Sequence, residues 1–221
     1  YQAEISQGRL ESLYNFQTLV KSLSGLPLTN ASLLDEGSSA AEVMTMCYSY
    51  HRNKKKKFCV SDTLHPQTLK VLETRAYALD IDLQIDNLEN FKLEKETCGF
   101  MFQYPDTNGN ISIPDEMIRE SKDKNIISTC SNDLLASCIF KSPGDLGIDI
   151  AFGTMQRFGV PMYFGGPHPA YLACDGKFLR YMPGRIIGES IDIKGTPCYR
   201  LGLQTREQHI KKEKATSNIC T

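Results

Sequence analysis

Residues 57–85 decide the fold, and they read KFCVSDTLHPQTLKVLETRAYALDIDLQI. The segment opens with a short apolar strand candidate, Lys57 to Val60, and closes with Ile81 to Ile85, where apolar and polar residues alternate as in a strand. Between them, Pro66 to Leu79 is a helix candidate with proline in its first turn. A strand, a helix and a strand in this order predict parallel strands joined by a right-handed crossover.

The same alternation continues on both sides of this segment. Upstream, the sequence predicts a helix from Ile5 to Leu23 that stops at Gly25, and a second helix from the turn at residues 35–41 to about His51. Downstream, it predicts three strands and one helix, namely Gly99–Phe102, Ile126–Thr129, Ile148–Phe152 and Ile113–Lys124. Short apolar strands between helices indicate an α/β fold, with a mostly parallel sheet covered on both faces.

The chain divides at about Phe178, where the periodic pattern becomes less regular. We expect residues 1–177 to form part of a large domain, and residues 178–221 to be a return segment that packs on the sheet. The chain begins at Tyr1 in what reads as a helix and ends at Thr221 without a stop signal. We therefore expect a fragment, truncated at both ends, that could have lost a targeting segment.

The composition is that of a soluble globular protein, with 41% apolar residues, 23% charged residues and a net charge of −1. No apolar run approaches the roughly 18 residues that span a bilayer. The run Lys54–Lys57 lacks interleaved aromatic residues, so it indicates a solvated helix end rather than a nucleic-acid site. The sequence thus predicts neither a membrane nor a nucleic-acid partner.

The cysteines and histidines do not form a recognisable metal or nucleophile motif. None of the eight cysteines belongs to a Cys-x-x-Cys pair, and the four histidines are dispersed. We expect buried, reduced thiols and no metal site. The sequence does not assemble a Ser-His-Asp or Cys-His set.

Two glycine-containing stretches are candidates for ligand contact. Gly37, Ser38 and Ser39 precede a predicted helix, where backbone N–H groups suit a phosphate, although a simple helix start explains them as well. The stretch from Thr154 to His168, which contains Gly165 and Gly166, directly follows a buried strand, at the edge where α/β sheets bind ligands. A tight structural turn is an equal explanation for this second stretch.

A third candidate is the polar stretch from Gln204 to His209. Arg206 could clamp a carboxylate or a phosphate in bidentate fashion. The alternative is a solvated start of a polar helix.

Several strings resemble the N-terminal half of the glycine decarboxylases, the P-protein family of the glycine cleavage system. They occur in the family's order along the whole chain: YQAEI at 1–5, QGRLE at 7–11, LDEG at 34–37, HPQT at 65–68, QRFGVP at 156–161, GGPH at 165–168, MPGR at 182–185, QTREQHI at 204–210 and ATSNICT at 215–221.

The resemblance implies a pyridoxal-phosphate type I fold, like that of aspartate aminotransferase, and an enzyme built from two related halves. The active half carries a Schiff-base lysine and an aspartate that pairs with the pyridine nitrogen. On the family's spacing, Gln156 would take the lysine position and Cys130 the aspartate position. Neither can do that chemistry, because an amide cannot form an imine. The chain thus resembles the half without the cofactor lysine, with Gly37, Ser38 and Ser39 as a vestigial phosphate loop.

The implied function is that of a partner protomer, which completes the pocket of a cofactor-bearing C-terminal half. The complete enzyme would decarboxylate glycine with pyridoxal phosphate and pass the aminomethyl group to the lipoyl arm of the H-protein. It would work in the mitochondrial matrix of a eukaryote, or in the cytoplasm of a prokaryote. The pocket candidates are Gln204, Arg206, His209, Gly165, Gly166 and His168. The alternatives are a scaffold that only dimerises, and a small independent aminotransferase-like enzyme, which Gln156 disfavours.

This sequence departs from the family at one turn. Tyr163 stands where the family pattern has glycine, and Pro169 where it has alanine. Tyrosine adds bulk and disfavours positive φ, so a close backbone approach at this turn is less favourable.

Overall fold

A seven-stranded sheet forms the centre of the protein. The computed structural model describes residues 5–202, apart from the side chain of Tyr163. The strand order is β1-β7-β6-β5-β4-β2-β3. The strands are β1 (Leu28–Thr29), β2 (Lys57–Ser61), β3 (Asp82–Asp86), β4 (Thr97–Tyr104), β5 (Ile127–Asn132), β6 (Ile150–Thr154) and β7 (Ala170–Cys174). All neighbours from β3 through β6 are parallel, whereas β7 is antiparallel to both β6 and β1.

Within residues 5–202, four α-helices cover the sheet: α1 (Gln7–Ser24), α2 (Glu36–Tyr50), α3 (Pro66–Leu79) and α4 (Asp115–Asp123). Val43 of α2 and Leu72 of α3 share one core with Phe58 of the sheet. Val20 of α1 and Ile118 of α4 belong to a second core. The fold is therefore a three-layer α/β arrangement, and the predicted mostly parallel sheet with helices on both faces is confirmed.

Helix boundaries follow local chemistry. Helix α1 ends at Gly25, whose φ of +68° is a left-handed conformation that glycine adopts readily. Helix α2 begins at Asp35, whose side chain accepts a hydrogen bond of 2.7 Å from the N–H of Ser38. Helix α3 carries Pro66 at its first position, where a missing N–H costs nothing.

Some predicted boundaries were wrong by a few residues. The predicted helix Ile113–Lys124 is α4, which starts at Asp115 after Pro114. The predicted strand Ile126–Thr129 extends to Asn132 as β5, and the predicted strand Ile148–Phe152 is β6, which starts two residues later. Strands β1 and β7 were missed.

The segment after Phe178 is more regular than its sequence indicates. Phe178 and Met182 are buried in the core beneath α2. Beyond them, β8 (Ile187–Ile191) and β9 (Pro197–Leu201) form an antiparallel hairpin. Ile187 packs with Leu10 of α1, and Gln17 of α1 bonds to both backbone groups of Ile187, at 2.9 and 2.8 Å. The boundary at residue 178 stays a prediction.

Candidate functional site

A cleft opens where the carboxyl ends of β2, β4, β5 and β6 meet. It consists of two adjoining cavities of about 680 and 280 Å³, which share Glu36, His65 and Thr154 in their walls. The larger cavity lies against the first turns of α2 and α3, and the smaller lies over the end of β5. Ligands of open α/β sheets bind at this edge, so the cleft is the candidate site.

The first turn of α2 carries the predicted phosphate loop. Gly37 lines the larger cavity, and a Cβ at this position would lie 3.0 Å from Cγ2 of Val71, so glycine permits the close approach of α2 to α3. The N–H of Ser38 is already engaged by Asp35, and Ser39 is fully buried. Two carboxylates, Asp35 and Glu36, stand at this helix terminus beside the cavity.

The end of β5 reaches the cleft through Ser131 rather than Cys130. Cys130 lies inside the strand, fully buried in the core beneath α1 and α4, and burial raises the pKa of its thiol. The next residue, Ser131, donates a hydrogen bond to the Glu36 carboxylate and lines the smaller cavity with Asn132. Whether either position matches the family's aspartate stays a prediction.

Gln156 lies in the short turn directly after β6 and lines the larger cavity. Its backbone N–H donates to the hydroxyl of Thr154 at 3.2 Å, and its side-chain amide donates to the carbonyl of Val160 at 3.1 Å. The amide therefore fastens the turn that follows the strand. Its position at the carboxyl end of a buried strand is where the sequence placed it.

The loop between β6 and β7 forms one rim of the cleft. Gly165 and Gly166 both have positive φ, of +87° and +60°, and a Cβ on Gly166 would meet the carbonyl oxygen of Pro161 at 2.6 Å. Phe164 is the non-glycine residue of this loop with positive φ, at +50°, and its side chain is exposed. Gly165 and His168 line the larger cavity. The Gly-Gly pair thus forms a tight turn that borders the cleft, and its contact with a ligand stays a prediction.

A hydrogen-bonded group around His65 was missed by the sequence reading. The side-chain oxygen of Gln103 accepts from the N–H of His65 at 3.1 Å, and its amide nitrogen lies 3.0 Å from Nε2 of the His65 ring. Because the amide nitrogen is a donor, Nε2 must accept, so Nδ1 carries the proton and donates to the hydroxyl of Thr107 at 3.0 Å. These hydrogen bonds fix the orientation of the His65 ring, which lines both cavities. The one feature of the sequence that could have indicated this group is the position of His65 between a predicted strand and a predicted helix.

The charge of the cleft is predominantly negative. Its walls contain the carboxylates of Asp35, Glu36, Asp106 and Asp133, and Asp133 is paired with Arg157. None of the lining residues within 5–202 is a lysine. The described residues also contain no group of three potential metal ligands and no helix both long and apolar enough to cross a membrane.

Comparisons with known proteins place this chain. The family model for the glycine cleavage system P-protein matches residues 1–221. The chain belongs to the P-protein family. It is 51% identical over 222 residues to glycine dehydrogenase (decarboxylating) A, mitochondrial, of Flaveria pringlei, and 49% identical to the mitochondrial mouse protein and to the protein of Prochlorococcus marinus. Each comparison covers 100% of this chain.

Solved structures agree with the family assignment. A crystal structure of glycine decarboxylase (P-protein) in inhibitor-bound form superimposes with a TM-score of 0.92 at 32% identity, covering 100% of this chain and 51% of that one. A putative O-acetylhomoserine (thiol)-lyase from Campylobacter jejuni shares the fold alone, with a TM-score of 0.62 at 11% identity over 75% of this chain. The predicted pyridoxal-phosphate type I fold is confirmed.

This P-protein chain spans 21 to 23% of the length of these curated relatives. The predicted pocket residues Gln204, Arg206 and His209 lie outside the described residues, as do positions 1–4.

Proposed function

We propose that this chain is the half of a P-protein that carries no cofactor lysine, and that it completes the active site of a second, cofactor-bearing half. The observation that carries the proposal is Gln156. It stands at the carboxyl end of β6, its amide is engaged by the carbonyl of Val160, and it lines a cleft whose described walls contain no lysine. An amide cannot provide the nucleophilic amine that a covalently held cofactor needs.

The residues of this cleft do not fit pyridoxal phosphate. A phosphate at the first turn of α2 would meet the carboxylates of Asp35 and Glu36, which lie close enough to repel it. The N–H of Ser38 is used by the Asp35 cap, and Ser39 is buried. We therefore assign the cofactor to the other half of the complete enzyme, and we assign no chemical step to this cleft.

The reaction proposed for the complete enzyme is decarboxylation of glycine, with transfer of the aminomethyl group to the lipoyl arm of the H-protein. Support comes from the names of the relatives, glycine dehydrogenase (decarboxylating), and from the matching P-protein structure. Pyridoxal phosphate would be held by the other half, and the chemistry it would supply there is an electron sink for the decarboxylation. The names of the plant and mouse relatives support the mitochondrial matrix for a eukaryotic source, and the Prochlorococcus relative supports the cytoplasm for a prokaryotic one.

This chain would contribute binding groups at the boundary with the other half. Arg206 would pair with the glycine carboxylate through its planar fork, because arginine binds carboxylates in bidentate fashion. His209 would relay protons near neutral pH, and Gln204 would donate a hydrogen bond beside it. Gly165, Gly166 and His168 would shape the rim. A scaffold that only dimerises is the alternative, and it predicts no contribution to catalysis from any of these residues.

Two variants of the complete enzyme distinguish the two hypotheses, namely a chain that contributes to the active site and a scaffold that only dimerises. Arg206→Lys keeps the positive charge but removes the planar guanidinium that can bind a carboxylate through two N–H groups. The value of kcat/KM for glycine should therefore fall roughly ten- to a hundredfold, equivalent to about 1.4 to 2.7 kcal/mol. Gln156→Ala should leave the cofactor content unchanged, since the cofactor belongs to the other half. Glycine-dependent release of carbon dioxide and cofactor absorbance are the measurements.

The matched control is Arg200→Lys, at an exposed arginine of β9. This variant should retain full activity. Full activity of Arg206→Lys, or an activity loss that tracks a loss of folding, would instead support the scaffold. Loss of cofactor from Gln156→Ala would show that this cleft holds the cofactor itself.

A further inference from the structure

A tight turn at residues 106–110 connects β4 to α4 beside the smaller cavity. Within it, the N–H of Gly109 donates to the carbonyl of Asp106 at 3.0 Å, and the N–H of Asp106 donates to the carbonyl of Asn110 at 2.8 Å. Gly109 has a φ of +84°, a conformation in which a residue with a side chain would be strained. Asn108 and Gly109 are both exposed. The shape of the turn thus requires glycine directly after an exposed asparagine.

Asn108 is the one asparagine of the 221-residue chain that is followed by glycine. The absence of a Cβ on the following residue matters chemically. It lets the backbone nitrogen of that residue approach the carboxamide carbon of the asparagine without steric hindrance. From the exposed position and this neighbour, we infer that Asn108 is a site of spontaneous deamidation that converts it to aspartate and isoaspartate.

The reaction requires only water as a co-reactant. The backbone nitrogen of Gly109 attacks Cγ of Asn108, the bond from Cγ to Nδ2 breaks, and ammonia leaves with the proton of the Gly109 N–H. Water then opens the resulting cyclic imide at either of its carbonyl carbons. One opening gives aspartate, and the other gives isoaspartate, in which the main chain runs through the former side chain. The net change is asparagine plus water to a carboxylic acid plus ammonia.

The folded turn opposes this reaction in a defined way. The Gly109 N–H is engaged by Asp106, and the Asp106 carboxylate accepts the N–H groups of Asn108 and Asn110, each at 2.8 Å. The attacking nitrogen is therefore free only when the turn opens. Exposed turns open at a small free-energy cost, because few buried contacts are lost. We expect conversion in the native enzyme to be slower than in an unfolded peptide, yet faster than at any other asparagine of the chain.

Deamidation of Asn108 would alter a hydrogen bond in the cleft. Thr107 precedes Asn108; its N–H donates to the carbonyl of Thr63 at 3.0 Å, and its hydroxyl lies 3.0 Å from Nδ1 of His65. An isoaspartyl link lengthens the main chain directly after Thr107 and so displaces this residue. Deamidation at Asn108 therefore weakens the contact that orients the His65 ring.

The test is incubation of the complete enzyme at mildly alkaline pH, followed by peptide mapping with mass spectrometry and isoaspartate detection. Asn110 is the matched internal control, because it is exposed in the same turn but is followed by isoleucine. We expect acid products at Asn108, little change at Asn110, and none at position 108 of an Asn108→Gln variant, whose longer side chain cyclises far more slowly. In the aged enzyme, the nitrogen resonances of His65 should change, whereas those of the aged Asn108→Gln variant should not.

Equal conversion of Asn108 and Asn110 would overturn the inference, as would an unmodified Asn108 under conditions that convert an unfolded peptide of the same sequence. Modified enzyme with unchanged His65 resonances would overturn the proposed link to the cleft.

Discussion

At the scale of single residues, burial separates the thiols within residues 5–202 into a buried group and an accessible group. Cys98 and Cys59 lie in the sheet, where burial raises their pKa values to about 12 and about 11. Burial also raises the thiol pKa of Cys47, Cys130 and Cys174. Cys138 is exposed after β5. Since the thiolate is the reactive form, raised pKa values and lack of access both protect the buried group.

We therefore predict selective alkylation of the folded protein. Among the seven thiols within residues 5–202, iodoacetamide at neutral pH should modify Cys138 first and the half-buried Cys198 more slowly. The five buried thiols should react only after unfolding. Peptide mass spectrometry over a time course measures this order thiol by thiol, and in the control variant Cys138→Ser none of the remaining six should react at the rate of Cys138. Labelling of Cys98 as fast as Cys138 in folded protein would contradict the burial described here.

The hydrogen-bonded group around His65 could not be predicted from the sequence. Its partners Gln103 and Thr107 are 38 and 42 residues away, and no local pattern links them. Gln156 was singled out by the spacing of the family it resembles, and it belongs to a stretch that follows a buried strand, which is a local signal. The same holds for the Gly165–Gly166 turn. Residues next to a strand end are thus predictable, whereas the hydrogen bonds between different strand ends depend on the register of the sheet.

At the scale of secondary-structure elements, the start of α2 combines a helix cap with two carboxylates in the cleft. Asp35→Ala should destabilise the protein by about 1 kcal/mol, because the N–H of Ser38 loses its acceptor. Asp35→Asn is the control, since asparagine caps helices about as well but carries no charge. Urea unfolding curves provide the comparison. If Asn destabilises as much as Ala, the charge of Asp35 and not its cap supports the helix.

The β8–β9 hairpin depends on two glutamines of α1. Gln17 bonds to both backbone groups of Ile187 in β8, and Gln7 bonds to both backbone groups of Tyr199 in β9, at 3.0 and 2.8 Å. A two-stranded hairpin is marginal by itself, so these amides and the packing of Tyr14 against Tyr199 hold it in place.

Gln17 is 1% exposed, so Gln17→Ala should leave buried backbone groups unsatisfied and cost about 1–3 kcal/mol. The matched variant Gln7→Ala should cost less, because its site is only half-buried and water can replace the amide. Unfolding measurements compare the two, and hydrogen exchange should show faster exchange at Ile187 in the first variant. A larger loss from Gln7→Ala than from Gln17→Ala would refute this ranking.

The strands differ in how much of them the sequence predicts. Helix α3 lies between β2 and β3, and helix α4 lies between β4 and β5, and this alternation predicts a parallel sheet. Strand β7 contains only five residues, directly after Pro169, and it is defined by pairing with β6 on one side and β1 on the other. Strand β1 has two residues and exists only through that pairing. Such antiparallel additions at a sheet edge depend on long-range contacts, which periodicity does not reveal.

At the scale of the whole molecule, residues 5–202 contain a seven-stranded sheet of the type I fold and a cleft at the carboxyl ends of its strands. The proposal that the cofactor is held elsewhere rests on Gln156 at the strand end and on the carboxylates of Asp35 and Glu36 at the start of α2. The proposed partner role is compatible with the length of the P-protein relatives, which are about four to five times longer than this chain, since the chain spans 21 to 23% of them.

The central claim is that the cofactor of the complete enzyme is held outside residues 1–221. Borohydride reduction of the complete enzyme with its cofactor, followed by peptide mapping, tests this claim most directly, because reduction fixes the cofactor on its lysine. We predict one stoichiometric pyridoxyl-lysine, located in the other half of the protein, and none within residues 1–221. A stoichiometric pyridoxyl-lysine within residues 1–221 of the folded enzyme would contradict the account.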